Sequence, residues 1–574
     1  MTPEILAQAL TSLEIAEDPL LTWGVTDGAF SEDEALELLG SAFPELDPDE
    51  LLDALEAARL VRLLDGQRLR TRSAETVRLA ASLRQWFHGR DWRTAASLVS
   101  DFRFIATPRG VPDRRAFAGP ALVSSLRSNG ADRADRDHAL LDIMGDRTVS
   151  AFQARATQRL LEAVSSGRTT GTVVTAGTGA GKTLSFYLPA LAQLLGVKAV
   201  GRCPRIVAIY PRTELLRDQL SSLMETLDRL HALRGRAPSV GVLYGASPLS
   251  RSHAESFGGW KRKGADLVSP ILSCPSCGGP LIWPAQADLL QCEKCGRELA
   301  GDRLAFIRRS MTSSSPEILF TTTEMVNRSL GHQPTRRLLV GDSSGGPEFI
   351  LLDEIHTYSG THGAQVANLL RRWRAESAHP TTFVGLSATL ADPVGFFSEL
   401  TGLSTGEVAL VAPRPEEMVE VGREYMLVLR GDPASQTTLL STTIQASMLF
   451  RRMLDPDPAG PSSGLFGSKV FAFTDDLDTV NRLHYQLADA EGWLPGGVNQ
   501  RPTGSLARLR ASGTDNRDRD DAGQLWELAQ FLGALNESSR IGLPTSQASG
   551  VDDRADIVVA TASLEVGFDD PDVG

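Results

Sequence analysis

The sequence predicts an α/β protein built on parallel β-sheet, and three observations predict it. Short apolar runs recur from about residue 140 to 425, among them GTVVTA, RIVAIY, EILFTT, FILLDE and TFVGLSA. Each run ends in a polar turn that enters a helical pattern. The runs are nearly continuous rather than alternating, as strands buried on both faces must be. Strands and helices in this alternation give a sheet covered on both sides, with ligands at the carboxyl ends of its strands.

The rest of the chain is read around that pattern. A length of 574 residues suits three or four domains. Residues 1–75 read as a mainly helical accessory module. SEDEALELLGSAF and DPDELLDALEAARLV follow N-caps at Ser31 and Asp47, and RLLDGQRLRTR reads as a hairpin turning at Asp65-Gly66. The module is either winged-helix-like or a helical packing domain with an incidental hairpin. Residues 76–135 form a connector, and residues 136–425 are the first α/β domain, interrupted by a cysteine-bearing insertion at 255–310. DPDPAGPSSGLFGS, 455–468, reads as a flexible loop, and KVFAFTD opens a second α/β domain within 426–574. Residues 500–555 are polar and read as including a mobile loop.

Composition excludes some classes. With 42% hydrophobic and 22% charged residues the chain is an ordinary globular protein. MTPEILAQALTSLEIAED lacks a signal peptide's basic start and apolar core, and no stretch nears the ~20 apolar residues of a membrane span. The expected location is the cytoplasm, with no membrane partner. A net charge of -13 is unusual for a nucleic-acid binder, but a binding track can be a local stripe. No Lys or Arg precedes Arg59, and arginine then dominates to Arg115. That stretch is either a basic stripe or one of two solvated helical faces of opposite sign.

TVVTAGTGAGKTLSFYLPAL, 172–191, is a strand, a glycine-rich loop and a helix. Gly177, Thr178, Gly179, Ala180 and Gly181 form a loop whose amides can close around phosphate oxygens at a helix N-terminus. Lys182 reaches the β- and γ-phosphates of ATP, and the Thr183 hydroxyl binds Mg²⁺. FILLDEIHTYSG, 349–360, ends a buried strand in two acids. Phosphoryl transfer to water asks one carboxylate, Asp353, to hold Mg²⁺ and a second, Glu354, to orient and deprotonate the attacking water. VGLSATLADP places Ser387 and Thr389 after a third strand, where short hydroxyls can relay the γ-phosphate state. Pro211, Arg212 and Thr213 in YPRTELLRDQ, and Thr322 and Thr323 in FTTTEMVNR, lie at strand ends entering helices, suited to a nucleic-acid backbone. IVVATASLEVGFDDPDVG adds Thr561, Glu565 and Asp569.

Taken in order, AGTGAGKT, YPRTELLRDQ, TTTEM, DEIH, SAT, VFAFTD and TASLEVGFDD resemble a superfamily 2 DExH-box helicase from motif I to motif V. DEIHTYSGTHGAQVANLLRRW, followed by GLSATLADPVGFFSELTG, is most similar to the MrfA-type DNA-repair helicases and their relatives in bacterial phage-defence systems. The resemblance covers about residues 140–574. It implies tandem RecA-like domains, ATP-driven 3′ to 5′ movement along single-stranded DNA, and duplex unwinding. It also implies an adenine contact for Gln153 and a link from the ATP site to the Ser387 motif through His356. The partners it implies are DNA, with RNA the alternative, and other subunits of a repair or defence system. No Gln/Arg-rich motif VI with its arginine finger is found up to Gly574. The second RecA-like domain is therefore expected to be incomplete, and this chain to hydrolyse ATP negligibly alone, with Arg554 the nearest substitute. A non-hydrolysing adaptor is the rival outside the enzyme class.

Four of the five cysteines, Cys274, Cys277, Cys292 and Cys295, form two C-x-x-C pairs with fourteen residues between them. Gly278 and Gly296 suit the tight turn of each knuckle. Four thiolates favour tetrahedral Zn²⁺ in a structural site, with an iron–sulfur cluster or redox-active thiols as alternatives. MrfA-type helicases carry their cysteines near the C-terminus, so an insertion here favours a defence-system relative. The basic approach GGWKRKG either aims the ribbon at nucleic acid or is a solvated loop.

Overall fold

The computed structural model describes residues 1–64, 67–126, 133–177, 179–198, 203–256, 259–343, 345–388, 390–432, 439–457, 459–493, 505–543 and 554–561. The chain divides into two compact units, residues 110–419 and residues 1–109 with 420–574.

The 110–419 unit is built on eight parallel strands: β1 (Thr170–Thr175), β2 (Ile206–Tyr210), β3 (Val240–Leu243), β4 (Leu304–Ala305), β5 (Ile318–Thr322), β6 (Phe349–Leu352), β7 (Thr382–Ser387) and β8 (Val408–Val411). Their order across the sheet is β4-β3-β5-β2-β6-β7-β1-β8. Every residue of β2, β3, β6 and β7 is buried, which explains the continuous apolar runs. Helices such as Lys182–Gly196 and Gly360–Glu376 connect successive strands.

The insertion leaves the sheet after β3 and returns as β4, which pairs with β3 at the sheet edge. Between them lies a five-stranded antiparallel sheet spanning Lys261 to Ala300. Trp283, on its middle strand, packs edge-on against both Trp260 and Phe306. Asp228, on helix Thr213–Arg234, pairs with both Arg297 and Arg303. The insertion is thus tied to the RecA-like domain by charge as well as by the chain. Lys261, Arg262 and Lys263 form an exposed edge strand, with Lys263 paired to Glu293 and Arg262 to Glu255.

The other unit joins the two ends of the described chain. Helices Pro3–Thr22, Glu32–Ala42 and Pro48–Ala57 enclose Leu13, Leu39, Leu51 and Leu55. Ser31 and Glu34 form the capping box and Asp47 caps its helix, as their sequence positions predict. Strands Val61–Leu64 and Arg68–Thr71 pair antiparallel; the Asp65-Gly66 turn lies outside the described residues. Strands Val99–Pro112 and Met418–Gly431 pair with each other. Neither shows in the sequence, because both are largely exposed and follow no clear alternation. A parallel sheet ordered Val470–Thr474, Ile557–Thr561, Ile541–Gly542 forms a second α/β core. Leu79, Leu83 and Leu98 share that core with Met448, Leu449, Leu483, Trp526 and Ile557.

Two sequence expectations are corrected here. The arginines at 62, 70, 72 and 78 form neither a solvated face nor a free basic stripe, because all four are buried. Arg62, Arg70 and Arg78 surround the fully buried Glu75; Arg62 also reaches Asp520 and Glu527, and Arg72 pairs with Asp455. A carboxylate this deep requires cationic partners, and these arginines supply them. Nor does the 455–468 stretch behave as its composition suggests. Asp455 accepts from Arg72, the Ser462 hydroxyl and the Phe466 amide, and Arg72 lies over the Phe466 ring, so the loop is pinned at both ends.

Candidate nucleotide-binding site and cysteine cluster

The parallel sheet brings the motifs to one edge. β1, β7 and β6 are neighbours, and from their carboxyl ends come the glycine-rich loop, Ser387 and Asp353. On the other side of β6, the order β2, β5, β3 places Pro211, Thr322 and Tyr244 at the next three strand ends.

The loop from Ala176 to Gly181 is anchored at its start, where the Ala176 amide donates to the Ser387 carbonyl. Gly179 and Gly181 have φ of +70° and +79°, in the left-handed region. A Cβ on Gly181 would also lie 2.6 Å from Gln153 Nε2, so that side chain would have to shift. Gly181 caps helix Lys182–Gly196, which places Thr183 in its first turn. Lys182 Nζ donates to the Ala176 and Gly177 carbonyls at 3.1 and 3.2 Å. Burial pulls its ammonium below the ordinary value, against the opposing pull of Glu354 and Asp353. Thr178 and Thr389, and the chain from residue 562 with Glu565 and Asp569, lie outside the described residues.

Gln153 sits behind this loop. Its Oε1 accepts the Ser150 amide at 2.8 Å and its Nε2 donates to the Gly181 carbonyl at 2.9 Å. The side chain therefore braces the loop against helix Ala151–Ser165.

Asp353 is buried, and its Oδ1 accepts the Glu354 amide. Burial, reinforced by Glu354, pushes its carboxyl up to about 7 against the counter-pull of that amide and Lys182. Such a carboxylate, facing Lys182 with Thr183 in the adjoining helix turn, fits a cation-binding role. Glu354 has φ +46°, ψ +51°, a left-handed conformation rare for a side chain of this kind and a source of strain. His356 Nδ1 lies 3.3 Å from Glu354 Oε2 and 3.3 Å from Ser387 Oγ, and only the Ser387 contact has hydrogen-bond geometry. His356 thus stands between Glu354 and Ser387 and is hydrogen-bonded to Ser387 alone of the two. Sequence pattern does not single out Tyr187, Tyr210 and Tyr358; burial pushes all three hydroxyls above the usual range, and the Asp353 charge adds to that rise. The Tyr187 and Tyr210 hydroxyls bond at 2.7 Å. Both tyrosines stand inside the quoted motifs, but a buried phenol in an apolar run reads as ordinary core.

At the other three strand ends, Arg212 precedes helix Thr213–Arg234, and one of its terminal nitrogens is buried without a hydrogen-bond partner. Thr322 caps helix Thr323–Leu330 through the Met325 amide. Arg308 donates to the Tyr244 and Ser247 carbonyls and so fixes the turn after β3, which motif spacing did not reveal. Thr561 ends its strand in the other unit.

The cysteines converge in the insertion. All four Sγ atoms lie within 4.8 Å of one another, with Cys274–Cys295 at 3.6 Å and Cys277–Cys292 at 3.5 Å. A tetrahedral zinc with bonds of about 2.3 Å needs sulfurs about 3.8 Å apart, so the cluster fits that ion. Gly278 and Gly296 take φ of +65° and +72° in the two knuckle turns.

Comparison with known proteins agrees with this geometry. The DEAD/DEAH box helicase profile matches residues 150–255 and 287–395, passing over the first half of the insertion. The chain is 26% identical to the Druantia protein DruE of Escherichia coli (strain UMEA 4076-1), over 40% of this chain and 16% of that protein. It is also 26% identical to the Lhr helicase/probable uracil glycosylase of Mycolicibacterium smegmatis (strain ATCC 700084 / mc(2)155), over 47% of this chain and 16% of that protein. The chain thus spans less than a fifth of the length of these relatives. Among solved structures, the DUF1998 helicase MrfA bound to DNA and AMPPNP aligns with a TM-score of 0.44 and 17% identity, covering 83% of this chain and 48% of that one. No helix among the described residues is long and apolar enough to cross a membrane. With the glycine loop, the acid pair and the hydroxyl motif on adjacent strands of one parallel sheet, this chain carries a DEAD/DEAH box helicase domain.

Proposed function

We propose that the chain contains the ATP-driven motor of a DNA helicase or translocase, moving 3′ to 5′ on single-stranded DNA in repair or phage defence. The observation that carries this reading is the His356–Ser387 hydrogen bond at the carboxyl edge of the sheet, with Glu354, Lys182 and Asp353 beside it. Lys182 binds the phosphates, and Glu354 orients the attacking water and takes its proton. Thr183 and Asp353 would hold Mg²⁺, which neutralises charge developing on the phosphoryl oxygens. His356 passes the change at Glu354 to Ser387. Pro211, Arg212, Thr213, Thr322 and Thr323, with Thr561 in the other unit, bind the nucleic-acid backbone and fix its position without reading sequence. Cys274, Cys277, Cys292 and Cys295 would hold structural zinc, which stabilises the insertion and takes no part in hydrolysis.

The choice of DNA rests on similarity of the DEIHTYSG and GLSATLADP stretches to DNA-repair and defence helicases. The deciding experiment measures ATP hydrolysis by the full protein with single-stranded DNA, single-stranded RNA and no polymer. Stimulation by DNA above RNA supports the reading; stimulation by RNA alone makes it an RNA helicase; hydrolysis with no polymer dependence removes the motor.

A further inference from the structure

One cation near the nucleotide loop has no place in the helicase motifs. Arg114 lies 56 residues before the start of β1, in RGVPDRRAFAG, and its guanidinium donates to the Gly179 carbonyl. The segment that carries it is held on both sides. Before it, the Asp113 amide donates to the Glu417 carbonyl at 2.9 Å, and the Glu417 side chain pairs with Arg155 on the helix that carries Gln153. After it, Phe117 and Ala118 pair antiparallel with Val149 and Thr148, directly before that helix. Anchors at Asp113 and Phe117, four residues apart, fix the arginine over the loop, while its own side chain stays exposed. Lys182 makes the same kind of contact, donating to the carbonyls of Ala176 and Gly177 in the same loop.

We propose that Arg114 is a second phosphate-binding cation of this nucleotide site, exchanging the Gly179 carbonyl for the terminal phosphate of a nucleoside triphosphate. The chemistry favours the exchange. A guanidinium makes stronger, charge-assisted bonds to a phosphate than to a neutral amide oxygen, and its planar fork can hold two phosphate oxygens at once. A cation at the far phosphate separates triphosphate from diphosphate, because the diphosphate offers it no partner. This rests on the nucleotide-site reading above and adds to it a residue outside the glycine-rich loop.

The test is equilibrium binding of the non-hydrolysable imido analogue of ATP and of ADP, each with Mg²⁺, to the full protein and its variants. Arg114→Ala should weaken the analogue about tenfold or more while leaving ADP unchanged, since a charge-assisted phosphate contact is lost from one ligand only. Arg114→Lys should recover part of that loss, and Arg115→Ala, on the neighbouring exposed arginine, should change neither affinity. An equal fall in both affinities for Arg114→Ala would mean that the residue only supports the loop, and overturns the proposal. So does no change in either, and if Lys182→Ala still weakens both nucleotides the site reading stands without Arg114. Wild-type protein that binds neither nucleotide overturns the site reading and this inference together.

Discussion

At the scale of single residues, the site concentrates strain and burial on the groups assigned to chemistry. Glu354 holds a left-handed backbone that its side chain disfavours, and the neighbouring Asp353 is buried at the end of β6. The structure tolerates both because the strands on either side of β6 fix it in place. Glu354→Gln keeps the shape and removes the base, so ATP hydrolysis should fall by about a hundredfold or more with nucleotide binding retained. Parallel turnover and equilibrium-binding assays check this, and near-normal turnover would sink the assignment. Gly181→Ala should be worse than a conformational penalty alone, because its Cβ would meet Gln153 Nε2. We expect it to weaken nucleotide binding and lower the melting temperature, with Gln153→Ala partly restoring the latter by clearing the space. Failure of that rescue would mean that the φ of +79° alone decides.

At the scale of elements, the cysteine insertion is a module with its own anchor. Its four thiols are placed by two knuckles, and its position on the domain is fixed by Asp228 between Arg297 and Arg303. Metal analysis should find one zinc per chain. Cys292→Ser should release it and raise hydrogen exchange across 255–310, with ATP affinity changed less than about twofold, since structural zinc supplies folding free energy locally. Iron, or no metal, in purified protein would reverse the assignment. Asp228→Asn should loosen the insertion without loss of zinc, which the same exchange measurement can separate.

At the scale of the whole molecule, the unit formed by residues 1–109 and 420–574 depends on a buried ionic cluster. Burial alone would push the Glu75 carboxyl up, but Arg78, Arg62 and Arg70 outweigh it and hold it at about 2, below the ordinary 4.5. A carboxylate depressed in this way stabilises the fold above its unfolded value, and that stability is lost as pH falls from about 4.5 towards 2. Acid unfolding followed by tryptophan fluorescence should show this unit opening within that window, because Trp526 lies in the same core. Glu75→Gln should destabilise the unit by about 3–5 kcal/mol at neutral pH, the usual cost of removing one member of a buried ion pair. It should also flatten the acid transition. Unchanged stability in denaturant titrations would show that Asp520 and Glu527 suffice for Arg62 and Arg78.

The sequence alone determined the chemistry-bearing loops and the class of sheet. The placement of Gly179, Gly181, Lys182, Asp353, Glu354 and Ser387 at the carboxyl ends of strands was legible because each follows an apolar run, and a fully buried parallel strand leaves that run unbroken. The cysteine knuckles were legible because C-x-x-C is a local geometry. Tertiary structure alone decided what Arg62, Arg72 and Arg78 do. Their partners Asp455, Asp520 and Glu527 lie some four hundred residues away, so nothing in local charge separates a buried ion pair from a solvated face. It also decided that Arg114 meets Gly179 and that Leu79 and Leu83 share a core with Met448 and Trp526. Local pattern fixes what a segment can become; which distant segment satisfies its charge and covers its apolar face is set only when the chain closes on itself.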